Sequence, residues 1–215
     1  MTKPKFGLTA AHLRILAMVL MLIDHTGRVL FPSQIWMICL GRLAFPIFAF
    51  QIAVGYRHTH DFRRYCMRLA LFAVVSEIPF DLMVFGEPLV FGHQNVMLTL
   101  LLGLLSCRAW DRKDGWSLIF VLLAGALTRC DYGFHGVLTV LLFHVCRNRK
   151  WELLLGMVMI CISRYGFPSV QLFSVLAWIP ICLYNGEKGK GGRALQYGSY
   201  LFYPLHMLIL WLLWK

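Results

Sequence analysis

Charge is scarce in this chain, and acidic charge is scarcer still. Only 14% of its 215 residues are charged, and 21 Lys and Arg stand against 10 Asp and Glu. Soluble domains carry about 25% charged residues. With 59% hydrophobic residues and a mean hydropathy of +0.67, a water-soluble fold cannot hide this much apolar surface. An integral membrane protein is therefore expected. Paired cysteines are missing too: Cys39, Cys66, Cys107, Cys130, Cys146, Cys161 and Cys182 form no CxxC. Their odd number and wide spacing give no disulfide framework, and they read as small buried hydrophobes. HxxxH and HExxH spacings are absent, so no metal is expected. Arg14 and Asp24 interrupt the first apolar stretch and no small-residue cleavage site follows. That stretch reads as a retained helix rather than a signal peptide. The net charge of +11 comes without a basic face interleaved with aromatics, so nucleic acid is excluded as a partner.

What is present is a run of apolar segments. Nine are expected, near 11–31, 35–56, 65–85, 94–109, 115–129, 133–146, 151–164, 169–184 and 197–214. The reading is an all-α, polytopic transmembrane bundle of about nine helices, one domain over 1–215. Several segments fall short of the roughly 20 residues that cross a bilayer squarely, so the count is least firm around 115–164. Basic clusters fix the orientation. Lys3 and Lys5 precede the first segment. Arg57, Arg63, Arg64 and Arg68 follow the second. Arg108, Arg112 and Lys113 follow the fourth, Arg147, Arg149 and Lys150 the sixth, and Lys188, Lys190 and Arg193 the eighth. Loops rich in Lys and Arg stay in the cytoplasm. The N-terminus is thus expected inside and the C-terminus outside.

Against this background the first segment is costly. A helix turns about 100° per residue, so Arg14, Met18, Met21, His25 and Arg28 share one stripe. Arg14 and His25 lie about 16 Å apart along it at 1.5 Å per residue. Ionisable groups in hydrocarbon are expensive and usually functional. Arg28 is in reach of both Asp24 and His25, while those two neighbours face 100° apart and cannot form a side-by-side dyad. Other polar groups gather in the same outer half: Gly41 and Arg42 with a Pro46 kink, Glu77 and Asp81 around Pro79, Gln94 and Asn95, then Arg129, Asp131, Tyr132 and His135, and finally Tyr203 and His206. Glu77 and Asp81 are expected to pair with Arg42 or Arg129. Asn95 at a helix start reads first as a cap, and His135 as a packed interfacial residue. His58 and His60 read as solvated.

The motifs IDHTGR (23–28), GRLAFPIFAF (41–50), SEIPFDL (76–82), QNVMLTLLLGLL (94–105), DYGFHGVL (131–138), LYNGEKGK (183–190) and YLFYPLHMLIL (200–210) together resemble the TraX family over nearly the whole chain. The plasmid-borne namesake of that family acetylates the N-terminus of F-pilin. The family is similar to wider membrane acyltransferases, which set an arginine or lysine ahead of a key histidine in the first helix with ten residues between the two. Arg14 and His25, with ten residues between them, fit that pattern.

The resemblance implies an acetyl-CoA-dependent acyltransferase in the bacterial cytoplasmic (inner) membrane. Its implied catalytic set is His25, Asp24, Arg28 and Arg42. Its implied donor-binding set is Arg14, Asn95, Tyr132, Tyr203 and His206. The donor is acetyl-CoA or another acyl-CoA, and the partners are the lipid bilayer, the donor and an acceptor protein or glycan. Basic inner loops suit the donor's phosphates. His25 acts either as general base or as transient acyl carrier, and Arg28 or Arg42 serves the oxyanion. Two other readings stand beside this one. Midplane charges and kinked helices also suit a small transporter or flippase-like carrier, although no inverted repeat is visible. A non-catalytic membrane assembly factor is the third.

Overall fold

A computed structural model describes residues 6–215, without the side chain of Arg193. Lys3, Lys5 and that side chain, used above for orientation, lie outside the described residues. The fold is all-helical, and among the described residues the only strand-like pairings are two isolated bridges, Leu8 with Tyr184 and Gln94 with Cys130. The helices are α1 (Ala10–Val29), α2 (Ile35–Gly41), α3 (Ala44–His58), α4 (Phe62–Phe85), α5 (Val96–Asp111), α6 (Gly115–Leu127), α7 (Gly133–Val145), α8 (Lys150–Tyr165), α9 (Trp178–Cys182) and α10 (Gly192–Trp214). A 3-10 helix, Val170–Ala177, runs directly into α9.

Each expected apolar segment corresponds to helix, with two internal breaks. The second segment divides at Arg42 and Leu43 into α2 and α3. Pro46 does not kink it. Pro46 sits in the first turn of α3, where its missing N–H has no intrahelical partner to lose. The eighth segment opens as a 3-10 helix. Polar side chains set several starts. Thr9 caps α1 in a reciprocal box with His12, Asp61 caps α4, Asn95 caps α5 and Asp114 caps α6. Each accepts a backbone N–H of the first turn that the helix leaves unpaired.

α3 is the axis of the bundle: from Ala44 to Val54 every residue except Phe48 is buried. α1, α5 and α7 pack on it, and α10 packs between α1 and α4. Two stretches, Ala10–Val29 and the broken Ile35–His58, are long and apolar enough to cross a bilayer. α6 and α7, at 13 residues each, are about 20 Å long at 1.5 Å per residue. The loop ends sort by chemistry. Basic residues from the loops after α3, α5, α7 and α9 meet at one end, where they line two neighbouring depressions. Asp24, Arg42, Gln94 and Asp131 lie toward the other.

Candidate active site

α1 connects two polar sites. At its N-terminal end lies a cavity of about 520 Å³, lined by Arg14, His58, His60, Arg68, Lys188 and Lys190, with Tyr65, Tyr184 and Tyr200 among its aromatic walls. Arg14 donates from Nε to Gln51 Oε1 at 3.0 Å, and Gln51 donates in turn to the Ala10 carbonyl at 3.3 Å. The guanidinium is thereby held in place on the cavity wall by a buried amide from α3. Across the α3–α4 turn a second depression carries Arg57, Arg108, Arg112 and Arg147. None of these four makes a salt bridge among the described residues. With Asp111 the lone carboxylate lining this depression, the four arginines give this end of the bundle an attraction for anions.

The second site lies on the His25 turns. His25 meets His206 of α10, with Nδ1 of His25 and Nε2 of His206 2.7 Å apart. The rings are 3° from parallel with centroids 5.0 Å apart. At that nitrogen distance this places the rings edge to edge in nearly one plane, not face to face. His206 is buried, and its Nδ1 lies 2.7 Å from the Phe202 carbonyl oxygen. The Phe202 ring stacks on it with centroids 4.8 Å apart.

Asp24 belongs to a separate network one residue away. Its Oδ2 takes Arg28 Nε at 3.0 Å, and its Oδ1 takes Arg42 Nη2. Arg42 also donates to the Ile38 carbonyl at 3.3 Å and to Gln171 Oε1 at 3.2 Å. Asp24 and Arg42 are buried, whereas the Arg28 side chain is 48% exposed. The separation of Asp24 from His25 expected from helix geometry holds. Both arginines are engaged by Asp24, and among the described residues neither makes a hydrogen bond to His25.

The residues implied for the donor disperse. Of Arg14, Asn95, Tyr132, Tyr203 and His206, only Arg14 lines the basic cavity. Asn95 is wholly buried: its Oδ1 caps α5 through Met97 N–H at 2.9 Å, and its Nδ2 donates to the Ala73 carbonyl at 2.7 Å and to Glu77. Tyr132 stacks on Phe45 with centroids 3.8 Å apart, and its carbonyl accepts Arg164 Nη1 at 2.6 Å. Tyr203 is buried against the Val96 backbone at the start of α5. Glu77 and Asp81 do not pair with Arg42 or Arg129. Glu77 holds Asn95, and Asp81 accepts the Val90 N–H at 2.8 Å. Backbone and side-chain amides of the α4–α5 connection supply what the arginines were expected to supply. His135 packs on Phe134 with centroids 3.8 Å apart.

Sequence reasoning missed Gln51, Gln171 and Tyr200. Gln51 was detectable, because it is the lone strongly polar side chain in FPIFAFQIAV. Gln171 gave no such signal, since it lies near the surface-like start of its segment.

The relatives of this chain are consistent with one family. A family model described as TraX protein matches residues 9–214. A probable fimbrial assembly protein FimC, serogroup H1, of Dichelobacter nodosus is 30% identical, with 94% of each chain covered. Protein TraX of Escherichia coli (strain K12) is 30% identical over 61% of this chain and 54% of its own. A second Protein TraX of Escherichia coli is 24% identical over 92% of this chain and 84% of its own. No solved structure matches. With a family match that runs from the cap of α1 to the end of α10, the chain belongs to the TraX protein family.

Proposed function

We propose that the protein is a multi-pass acyltransferase of the bacterial inner membrane, taking an acyl group from acyl-CoA. One observation carries the reading: a single helix presents Arg14 to a basic cavity at one end and His25, paired with His206, toward the other. Membrane embedding is supported by the outward faces of the helices. On α6, Trp116, Ile119, Phe120, Leu123 and Leu127 are all exposed, a patch that water would not tolerate and lipid would.

The donor's phosphates would sit among Arg14, Arg68, Lys188 and Lys190, and its pantetheine arm would run along α1. Met18 and Met21 stand between the two sites, Met21 buried. Unbranched thioether side chains can move aside at low cost. At His25 the acceptor's amine or hydroxyl attacks the thioester carbonyl. Its proton passes to the imidazole as the new bond forms. The carbon–sulfur bond breaks, and the thiolate leaves with the proton that the imidazole returns. Arg42, fixed by Asp24 and Gln171, or Arg28 would face the developing oxyanion.

The test is purified full-length protein with labelled acetyl-CoA and a membrane extract. A labelled acceptor and release of free CoA are expected. Absence of acetyl-CoA binding and of transfer would overturn the reading. The name of the Dichelobacter nodosus relative supports a second reading, a fimbrial assembly factor without catalysis. That reading would gain if the protein captured a pilin subunit but never acetylated it.

A further inference from the structure

We propose that His206 is a positioning residue that fixes the tautomer of His25, leaving Nε2 of His25 as the free base. The inference rests on the acyltransferase reading of this site and adds to it the atom that does the chemistry. It starts from a backbone carbonyl. The Phe202 oxygen can only accept a hydrogen bond, and it lies 2.7 Å from Nδ1 of His206. That nitrogen must therefore carry a proton. A neutral imidazole has one N–H, so Nε2 of His206 is a bare lone pair. It faces Nδ1 of His25 at 2.7 Å. Two lone pairs do not meet at that distance, so Nδ1 of His25 carries the proton and donates it. The only nitrogen left on His25 is Nε2, unprotonated and free to take a proton or attack a carbonyl.

The geometry of the rings supports this order. An imidazole lone pair lies in the ring plane, and the two rings are 3° from parallel and in line. The hydrogen bond therefore points along the lone pair. His206 is itself clamped, 4% exposed, stacked on Phe202 and tilted against Tyr203. His25 is half-buried where His206 is fully packed, and its Nε2 is the nitrogen that the bond to His206 leaves free.

The orienting chain is also neutral. It ends on a peptide carbonyl, while the nearby carboxylate, Asp24, is occupied by Arg28 and Arg42. Within a bilayer a neutral orienter avoids the cost of a further buried charge. When Nε2 of His25 takes the acceptor's proton, the Nδ1 proton moves toward Nε2 of His206, and the positive charge spreads over two rings. Return of the proton from Nε2 to the departing thiolate restores both tautomers.

The test pairs kinetics with a spectrum of the protonation state. His206→Ala should lower kcat for acetyl transfer by about 10²-fold, the scale of a misaligned general base. The KM for acetyl-CoA should stay within about twofold. His206→Gln, whose amide oxygen can accept the same N–H, should recover about tenfold of that loss. A contact with the donor would instead raise KM at constant kcat and would overturn the proposal, as would a His206→Ala protein with parental kcat. Nitrogen-15 histidine spectra of the purified protein, with signals assigned by their loss in His25→Ala, should show Nδ1 of His25 protonated and Nε2 bare. The opposite tautomer would overturn the proposal whatever the kinetics. Failure of the underlying reading looks different: a parent that transfers no acyl group, or an active His25→Ala, overturns the catalytic meaning, while the spectrum still decides whether His206 sets the tautomer.

Discussion

Gly41 rests directly on Asp24. A Cβ at position 41 would fall within 2.7 Å of the Asp24 Cα and closer still to its side chain. The α1–α2 hairpin closes there because residue 41 has no side chain, and the next residue, Arg42, then reaches the carboxylate. Gly41→Ala should therefore part the two helices. Overpacking of this kind costs about 1–3 kcal/mol, and loss of the ion pair would add to it. The melting temperature in detergent should fall clearly. Gly115→Ala, at a position with nothing within 4 Å, should leave it unchanged or slightly raised. Equal melting of the two variants would contradict the role given to Gly41.

The two arginines on Asp24 should differ sharply. Arg42 and Asp24 are both buried, so Arg42→Met leaves a charge without its main partner, at a cost of about 3–5 kcal/mol. Arg28 is half exposed, and exposed pairs contribute at most about 1 kcal/mol. Melting curves of Arg42→Met and Arg28→Ala should separate by many degrees. Similar small losses in both would mean that the buried pair carries little of the hairpin.

Much of this arrangement was legible from residues alone, and the failures have physical causes. The apolar segments became helices because hydropathy records which backbone must bond to itself. The interruption of the second segment was expected at Pro46 and falls at Arg42 and Leu43 instead, since both halves of the segment are equally apolar and hydropathy does not locate the break. Asn95 as a cap was readable from its place before an apolar run, and it is one. The partners of Glu77 and Asp81 were not readable. Charge complementarity pointed to arginines, while the chain met the carboxylates with amides from residues 90 and 95. The pairing of His25 with His206 joins positions 181 apart, and only the packing of α10 on α1 reveals which faces meet.

The loop before α5 contributes a pH dependence of known sign. His93 lies 3.9 Å from Asp131, and the neighbouring carboxylate raises its pKa above the ordinary histidine value, with Glu77 adding to the shift and burial and Arg164 opposing it. The folded protein therefore holds this proton more tightly than the unfolded chain. Its contribution is fully present below the unfolded histidine value of about 6.5, and it is lost as pH rises through the higher folded value. Both side chains are more than a third exposed, so the effect is small. The gap in melting temperature between the parent and His93→Ala should be widest in acid and should close above neutral pH. A gap that widened with pH would reverse the assignment.

The two ends of α1 should separate binding from chemistry. Arg14→Ala removes a charge from the cavity wall and leaves Gln51 without its partner. A hydrogen bond to a charged group contributes about 1.5–3 kcal/mol, so the Kd for acetyl-CoA should rise at least about tenfold. Gln51→Leu should raise it less, because the guanidinium stays but is no longer aimed. High salt should narrow the difference between parent and Arg14→Ala, as screening weakens what the charge adds. His25→Ala should do the reverse. Its Kd should match the parent, since the cavity is lined on α1 by Ala10, Ala11, Leu13 and Arg14 and by nothing near His25. Its turnover should fall at least about 10²-fold. His25→Gln should fail equally, because an amide can hydrogen-bond but cannot take the acceptor's proton. Binding isotherms and single-turnover rates on variants that melt like the parent provide the comparison. If Arg14→Ala lost turnover at unchanged affinity, or His25→Ala lost affinity at unchanged turnover, the donor would have to enter from the opposite end of the helix.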